Sequence, residues 1–436
     1  MTERVADLLR FLDGSPTPFH AVGEALKRLE AAGFRELREE EVWSLSPGDA
    51  RYVVRAGSSL LAFQVGSGAP SAGGFRWIGA HTDSPNLRLK PRPDVVSHGY
   101  RQLAVEPYGG VLLHSWLDRD LSLAGRVALA TPEGPRTHLL AFERPLLRIP
   151  NLAIHLQREL AQEGLKLNAQ QHVVPVTGLD GGPELAELIV SELRARGLAT
   201  PERGDLLGFD LMLHDVQPAC VLGARGELLS SPRLDNLASC HAAVSALASA
   251  SRAPELPPST RGIVLYDHEE VGSRSVQGAG WPFLADTLER IVAAFKGGEP
   301  QGLARALARS RLVSADVAHA VHPNYADRHE PGHRPVLGRG PVLKTNANQS
   351  YATDGETAAE FAALCRARGV ETQHFVTRSD LGCGSTIGPI TAARVGVRTV
   401  DVGMPLLSMH SCRELAGTAD VEPMIDVLTA FLEGAA

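Results

Sequence analysis

The stretch GIVLYDHEEVG at residues 262–272 joins an apolar predicted strand to a run of titratable groups, which are Asp267, His268, Glu269 and Glu270. Open α/β sheets place functional groups at the carboxyl ends of their strands, and burial of such a run is costly unless metals or partners compensate it. Adjacent glutamates can divide the work of hydrolysis, because one can bind a metal while the other takes a proton from water. A solvated acidic turn is the alternative interpretation.

A second polar group follows another apolar strand. The segment GAHTDSP at 79–85 comes directly after Trp77 and Ile78, so we expect His81 where that strand ends and a loop begins. A neutral imidazole nitrogen suits zinc, and Asp83, two residues later, can orient the ring. Taken alone, this pair also fits a purely structural histidine.

Asp235 lies in SPRLDN at 231–236, just before a predicted helix of small residues at 237–250. A carboxylate in this position can cap the helix by accepting a backbone hydrogen bond. It can also bridge two metal ions through its two oxygens. The sequence pattern by itself leaves both interpretations open.

Two further candidates follow strand-like runs near the C-terminus. Asp316 follows the predicted strand at 312–315, and His410 comes after the segment VDVG at 400–403. With the earlier candidates they supply histidine nitrogen and carboxylate oxygen without any cysteine, which suits two zinc ions that share one carboxylate. This candidate set comprises His81, Asp235, Glu269, Glu270, Asp316 and His410.

The order of predicted elements indicates an α/β protein with an insertion. Strands and helices alternate after residue 235, which predicts a layered α/β domain. Proline, glycine and short strand-like runs dominate the middle of the chain, and a hairpin is expected around 126–142. We therefore expect one α/β domain in two parts, residues 1–90 and 233–436, interrupted by a β-rich domain at 91–232.

Composition excludes several classes of protein. The chain has 436 residues, 44% of them hydrophobic, and a formal net charge of −7. Such apolar content argues against a disordered chain, and the missing basic excess argues against a nucleic-acid partner. We expect no membrane span and no signal peptide. The five cysteines are odd in number and form no Cys-x-x-Cys pair, which indicates a cytoplasmic protein.

Seven motifs together resemble the aspartyl aminopeptidase family of dizinc metallopeptidases. They run in order from about residue 14 to the C-terminus and are GAHTDSPNLRLKP, SPRLDN, DHEEVGSRSVQGA, SADVAHAVHPNY, GPVLKTNANQSYATD, CGSTIGPI and MHSCREL. The resemblance implies a zinc aminopeptidase fold, in which a mixed-sheet α/β catalytic domain is interrupted by a β-rich dimerisation domain. It also implies a homo-oligomer, a tetrahedral dodecamer built from dimers.

The resemblance also implies a role for each candidate. One zinc ion would be held by His81 and Asp316, and a second by Glu270 and His410. Asp235 would bridge the two ions. Glu269 would act as general base toward a water activated by the zincs, and Asp83 would support His81. These assignments are carried over from the family's motifs, position by position.

A further family motif, RIPNLAIHLQ at 148–157, places His155 in the inserted domain. The resemblance leaves two roles open for this histidine, either a zinc ligand or a residue that reaches the active site of a neighbouring subunit. The second role fits an inserted dimerisation domain better. A core or interface histidine without a catalytic role is the remaining interpretation.

Substrate preference depends on Lys344, in PVLKTN at 341–346. The resemblance implies that this cation binds the side chain of an N-terminal Asp or Glu, so the enzyme would hydrolyse the first peptide bond of acidic peptides. From the residue alone, a solvated surface lysine is the commoner interpretation. Alternatives to the whole assignment are the same dizinc centre acting on neutral N-terminal residues, and a non-catalytic assembly protein that retains the fold.

Overall fold

The computed structural model describes residues 2–295 and 301–434. The chain forms two compact units. The first unit comprises Met1–Asp83, Ala219–Met409 and Glu414–Ala436, and the second comprises Ser84–Pro218 and His410–Arg413.

Helices occur in both units. In chain order the described part of the protein contains α1 (Glu3–Asp13), α2 (Pro18–Ala31), α3 (Pro70–Gly73), α4 (Leu160–Glu163), α5 (Leu185–Ala195), α6 (Leu234–Ala250), α7 (Phe283–Ala294), α8 (Gly302–Ala308), α9 (Gly355–Ala367), α10 (Ile387–Val395) and α11 (Val421–Glu433).

The strands are β1 (Arg35–Glu36), β2 (Ala50–Arg55), β3 (Ser59–Gln64), β4 (Phe75–His81), β5 (Asn86–Ser97), β6 (Tyr100–Tyr108), β7 (Leu121–Leu129), β8 (Arg136–Ala141), β9 (Val176–Leu179), β10 (Leu206–Asp215), β11 (Cys220–Leu222), β12 (Leu228–Ser231), β13 (Thr260–Tyr266), β14 (Arg311–Ala315), β15 (Ala318–His319), β16 (Val342–Lys344), β17 (Gln373–Phe375), β18 (Arg398–Gly403), β19 (Pro405–Leu407) and β20 (Glu414–Gly417).

The first unit is built on a nine-stranded mixed sheet in the order β1-β2-β3-β13-β4-β14-β18-β16-β17. Its four central strands, β13, β4, β14 and β18, are mutually parallel, whereas β3 and β16 run antiparallel to their central neighbours. A five-stranded sheet in the order β11-β12-β20-β19-β15 completes this unit. The parallel centre matters for function, because its strands end at one common edge.

Both faces of the central sheet are covered by apolar helices. Successive side chains of a strand point to opposite faces, and β13 follows this rule: Ile263 and Leu265 join one core, whereas Val264 and Tyr266 join another. The first core includes side chains of α1, α2, α6, α9 and α11, and the second those of α7, α8 and α10. Burial on both faces explains why these strands read as continuous apolar runs.

The second unit is β-rich, as the sequence predicts. It contains a six-stranded antiparallel sheet in the order β8-β7-β10-β5-β6-β9. The expected hairpin is the pair β7 and β8. The helix α5 packs on the core of this unit through Leu185, Ile189 and Leu193.

The predicted fold class, a mixed-sheet α/β protein with a β-rich part, is confirmed. The assignment of residues 1–90 and 233–436 to a catalytic domain and of 91–232 to an inserted domain stays a prediction, because compactness does not show what a unit does. Within the described residues, no helix is both long and apolar enough to cross a membrane.

The strand β18 begins later than the sequence pattern predicts. The apolar run at 395–402 suggests a single strand, but Val395 ends helix α10 and the strand β18 begins at Arg398. Gly388 and Pro389 near the start of α10 weaken its helical signal in the sequence. A short helix of this kind is stabilised by tertiary packing, since Ile387 and Val395 lie in the second core.

The close packing of β13 against its neighbours yields a testable prediction. A Cβ atom at Gly262 would lie 2.4 Å from Cζ3 of Trp77 and 2.6 Å from the carbonyl oxygen of Ala62. Because the core cannot expand freely, Gly262→Ala should destabilise the protein by about 1–3 kcal/mol, measured as a lower Tm by calorimetry. Gly208→Ala in β10 is the matched control, since a Cβ there meets no atom within 4 Å. Equal Tm values for the two variants would contradict the packing argument.

Candidate metal centre

Three parallel strands deliver polar residues to one edge of the central sheet. His81 is the last residue of β4 and lies opposite Tyr266, the last residue of β13. The next strand, β14, ends at Ala315, directly before Asp316. The carboxyl ends of β13, β4 and β14 therefore meet, and the groups predicted to follow them come together.

His81 occupies the middle of this edge and is almost fully buried. Its Nε2 atom lies 3.5 Å from Oδ1 of Asp235 and 3.6 Å from Oδ1 of Asp316. Its Nδ1 atom lies 3.1 Å from the carbonyl oxygen of Asp83. Burial opposes protonation of the ring, but hydrogen bonds to Asp235, Asp316 and Asp83 outweigh it, so the pKa of His81 is raised well above its ordinary value.

Asp83 connects two of the strand ends. Its carboxylate is fully buried and accepts hydrogen bonds from the backbone N–H groups of Glu269 and Glu270, each at 3.1 Å. The same residue contacts the His81 ring, since Nδ1 lies 3.4 Å from Oδ1. Asp83 thereby fixes both the His81 ring and the turn that carries the two glutamates. Residues that orient a metal ligand by hydrogen bonding have this geometry.

The four titratable residues after β13 do not share one environment. Glu269 and Glu270 form a 3₁₀ turn and are half-buried. Burial and the charges of Asp316 and Asp83 raise the pKa of Glu269, and burial together with Asp235 raises that of Glu270. A solvated acidic turn is therefore excluded for this pair.

The other two residues of the run have local partners. The Nδ1 atom of His268 lies 2.7 Å from the hydroxyl of Ser275, and the buried Asp267 accepts the His268 N–H at 2.7 Å.

Asp235 stands at the irregular start of α6. It and Asn236 have non-helical backbone angles, so the regular helix begins only at Leu237. The Asp235 N–H donates to Oε2 of Glu414 at 2.9 Å, and Asn236 Nδ2 donates to the carbonyl oxygen of Ala315 at 2.9 Å. These bonds hold the start of α6 against the strand edge, with the Asp235 side chain beside His81.

Asp316 and Lys344 form a buried ion pair. The Nζ atom of Lys344, the last residue of β16, lies 3.2 Å from Oδ2 of Asp316 and 3.2 Å from the carbonyl oxygen of Val317. It also lies 5.2 Å from the centre of the Tyr351 ring. Lys344 is only 2% exposed, so the interpretation of this residue as a solvated surface lysine is wrong.

This arrangement fits a bound metal ion. One ligand atom each from His81, Asp235 and Glu270 lies within 4.8 Å of the others. Besides these, the carboxylates of Asp83, Glu269 and Asp316 add negative charge at the same strand edge. Imidazole nitrogen and carboxylate oxygen are ligands of zinc, and a divalent cation would offset the repulsion that raises the glutamate pKa values.

Two predicted histidines lie in the second unit. His410 begins the segment 410–413, and its Nδ1 atom lies 3.1 Å from the carbonyl oxygen of Gly110 in the same unit. His155 lies in an exposed 3₁₀ turn, Ile154–Leu156. Neither belongs to the group formed by His81, Asp235 and Glu270, and the roles of both stay predictions.

Two supporting residues escaped the sequence analysis. Glu414 is 2% exposed and binds the Asp235 N–H. Cys240 is fully buried in α6, and its thiol donates to the carbonyl oxygen of His81 at 2.9 Å. Burial raises the pKa of this thiol to about 12. The sole sequence signal for Glu414 was its place in the motif MHSCREL, and Cys240 gave none.

Comparison with known proteins agrees with this site. The family described as aminopeptidase I zinc metalloprotease (M18) matches residues 11–432. A probable M18 family aminopeptidase 2 of Streptomyces coelicolor is 49% identical over 427 residues, which are 98% of this chain and 97% of that protein.

Known structures are similar as well. A chain in the cryo-EM structure of the Ape4 and Nbr1 complex superposes with a TM-score of 0.95 at 39% identity, covering 99% of this chain and 85% of that one. A chain of the S. cerevisiae mApe1 dodecamer gives a TM-score of 0.86 at 30% identity, covering 98% and 96%. The protein therefore belongs to the M18 family of aminopeptidase I zinc metalloproteases and is a metallo-aminopeptidase.

Proposed function

We propose that the protein hydrolyses the first peptide bond of peptides whose N-terminal residue is Asp or Glu, with two zinc ions in each subunit. The observation that carries this proposal is the cluster of buried His81 and Asp235 with half-buried Glu270. The Lys344 ammonium group lies beside it, paired with Asp316. Membership of a zinc aminopeptidase family supports the reaction class.

The proposed ligands divide into two sets. His81 and Asp316 would hold one ion, Glu270 and His410 the other, and Asp235 would be shared. The short distances from His81 Nε2 to the carboxylates of Asp235 and Asp316 support the first set and the shared ligand. Bound zinc supplies Lewis-acid chemistry, since it increases the acidity of water and polarises a carbonyl group.

Glu269 is the proposed general base. Its carboxylate would take a proton from the attacking water and deliver it to the amine that leaves. The geometry supports this role, because the Asp83 carboxylate accepts the Glu269 N–H at 3.1 Å and so fixes the backbone of the proposed base beside His81.

Replacement of the base should abolish turnover without loss of metal. Glu269→Gln keeps the shape of the side chain but cannot accept the proton, so kcat should fall by about 10²–10⁴-fold while the zinc content by mass spectrometry stays unchanged. The exposed Glu289 in α7 supplies the matched control, Glu289→Gln. Activity within about threefold of the wild type in Glu269→Gln would remove Glu269 from the mechanism.

Lys344 is the proposed determinant of acidic specificity. Two of its three N–H donors have acceptors among the described residues, Asp316 Oδ2 and the carbonyl oxygen of Val317. The third can donate to a substrate carboxylate, and a hydrogen bond to a charged group contributes about 1.5–3 kcal/mol. The pairing with Asp316 also supports the second candidate, an enzyme for neutral N-terminal residues, because that carboxylate already offsets the lysine charge.

The ratio of activities on acidic and neutral N-terminal residues distinguishes these two candidate functions. Lys344→Met removes the charge but retains most of the buried volume. It should lower kcat/KM for an N-terminal Asp substrate at least tenfold more than for an otherwise identical N-terminal Ala substrate. The measurement is steady-state hydrolysis of matched aminoacyl anilides. Equal losses on both substrates, or a wild type that prefers Ala, would favour the neutral-residue enzyme.

The proposed enzyme is a homo-oligomer, a tetrahedral dodecamer built from dimers through the second unit. Similarity to a chain of the mApe1 dodecamer supports this assembly. So does the segment 151–157, where Leu152, Ile154 and Leu156 are 53%, 54% and 73% exposed. Exposed apolar side chains this close together are typical of an interaction surface, and His155 lies among them.

The zinc content of a His155 variant distinguishes a zinc ligand from a residue that acts in a neighbouring subunit. If it acts on a neighbouring subunit's substrate, His155→Ala should reduce kcat/KM about tenfold or more and leave two zinc ions per chain. Elemental analysis and peptide hydrolysis on the same preparation test this, with the exposed His98→Ala as control. A preparation with one zinc per chain would instead identify His155 as a ligand.

The cytoplasm is the proposed location. No disulfide joins any of the five cysteines, all of which lie in the described part of the chain, and cysteines without disulfides are typical of a reducing compartment. Peptides with an acidic N-terminal residue are the proposed substrates there, and neither nucleic acid nor membrane is a proposed partner.

A further inference from the structure

One of the buried carboxylates of the first unit lies outside the metal cluster. Asp401, in the middle of β18, is completely buried. Its Oδ2 atom accepts the backbone N–H of Ala352 at 2.6 Å, and its Oδ1 atom accepts the hydroxyl of Thr386 at 2.7 Å. One side chain therefore binds two segments that are 34 residues apart in the chain.

Further contacts tighten this arrangement. The Asp401 N–H donates to the Thr353 hydroxyl at 2.8 Å, so the first segment is held by backbone and side chain alike. At the second segment, a Cβ on Gly388 would lie 2.3 Å from Asp401 Oδ2. The glycine lets the first turn of α10 approach the carboxylate, and Thr386 caps that helix by accepting the Gly388 N–H at 3.2 Å.

The two segments form one wall beside Lys344. Tyr351 precedes Ala352, and its ring centre lies 5.2 Å from the lysine Nζ atom. Cys383 lies three residues before Thr386 in the chain. Tyr351, Phe375 and the partly buried Cys383 share a small apolar cluster. A change at Asp401 would therefore be transmitted to both sides of this wall.

Burial of a carboxylate in a sheet has a cost that a neutral residue would avoid. The geometry explains the choice of residue, because a carboxylate can accept hydrogen bonds from two donors at once. An asparagine would offer one acceptor and would have to turn its amide toward the Thr386 hydroxyl.

We propose that Asp401 is a positioning residue for substrate recognition, which fixes the wall formed by Tyr351 and Cys383 against which the side chain of the N-terminal substrate residue packs. This inference rests on the proposed function, since it assigns that wall to the site next to Lys344. In this proposal Asp401 acts through the two segments that it holds, and it is assigned no contact of its own with metal or substrate.

The test removes the Thr386 hydroxyl, with its hydrogen bonds to Asp401 and to the Gly388 N–H, without changing the size of the side chain. Thr386→Val should raise KM for an N-terminal Asp anilide about tenfold, with kcat within about threefold and two zinc ions retained. Hydrogen exchange measured by mass spectrometry should become faster in peptides covering 350–353 and 383–386. Thr386→Ser, which keeps the hydroxyl, should restore both KM and exchange toward wild-type values.

A matched control separates positioning from general stability. Thr287→Val removes an equally buried hydroxyl, which donates to the Phe283 carbonyl in α7, and should change Tm without changing KM. The proposal is overturned if Thr386→Val leaves KM and both exchange rates unchanged, or if it lowers kcat and zinc content instead. A wild-type enzyme that prefers another N-terminal residue would contradict the proposed acidic specificity. In that case the exchange rates and the KM for the preferred substrate still test the role of Asp401.

Discussion

Repulsion among carboxylates buried around His81 is the constraint on which the first unit depends. Like charges held close together in a poorly solvated site raise the free energy of the folded protein unless cations or hydrogen bonds compensate them. The fold compensates this repulsion with hydrogen bonds from residues far away in sequence. Backbone N–H groups donate to the Asp83 carboxylate, and the Lys344 ammonium group donates to the carboxylate of Asp316. A cation bound by such a cluster would bind the folded chain only, and would therefore stabilise it.

The metal-centre residues that follow strands could be predicted from the sequence. His81 and Asp316, as well as the pair Glu269 and Glu270, each come directly after an apolar run, and parallel strands in neighbouring positions bring such residues to one edge. What the sequence could not supply is strand order, since β4 ends at His81 and β13 begins at Thr260, with Ser84–Pro218 of the second unit between them in the chain. The alternation of strands and helices was enough for the fold class.

Other features depend on contacts that no local pattern encodes. From the sequence alone, Asp235 is also interpreted as a helix cap. The position of α6 against the strand edge brings its carboxylate close to His81. Glu414 lies at the start of a strand, where a glutamate is usually solvated, and its partner is 179 residues away. The burial of Lys344 likewise follows from the pairing of β16 with β18. Local sequence gives the chemistry of these groups, whereas long-range packing decides their environment.

The thiol of Cys240 has a consequence for the choice of metal. It donates to the His81 carbonyl in the wall of the cluster, and burial keeps it protonated far above neutral pH. This hydrogen bond directs the thiol to the His81 backbone, and Cys240 is not one of the three residues whose ligand atoms lie together. The cluster thus presents only hard oxygen and borderline nitrogen atoms. Such a donor set discriminates against thiophilic ions, including monovalent copper and cadmium, through chemical softness instead of cavity size.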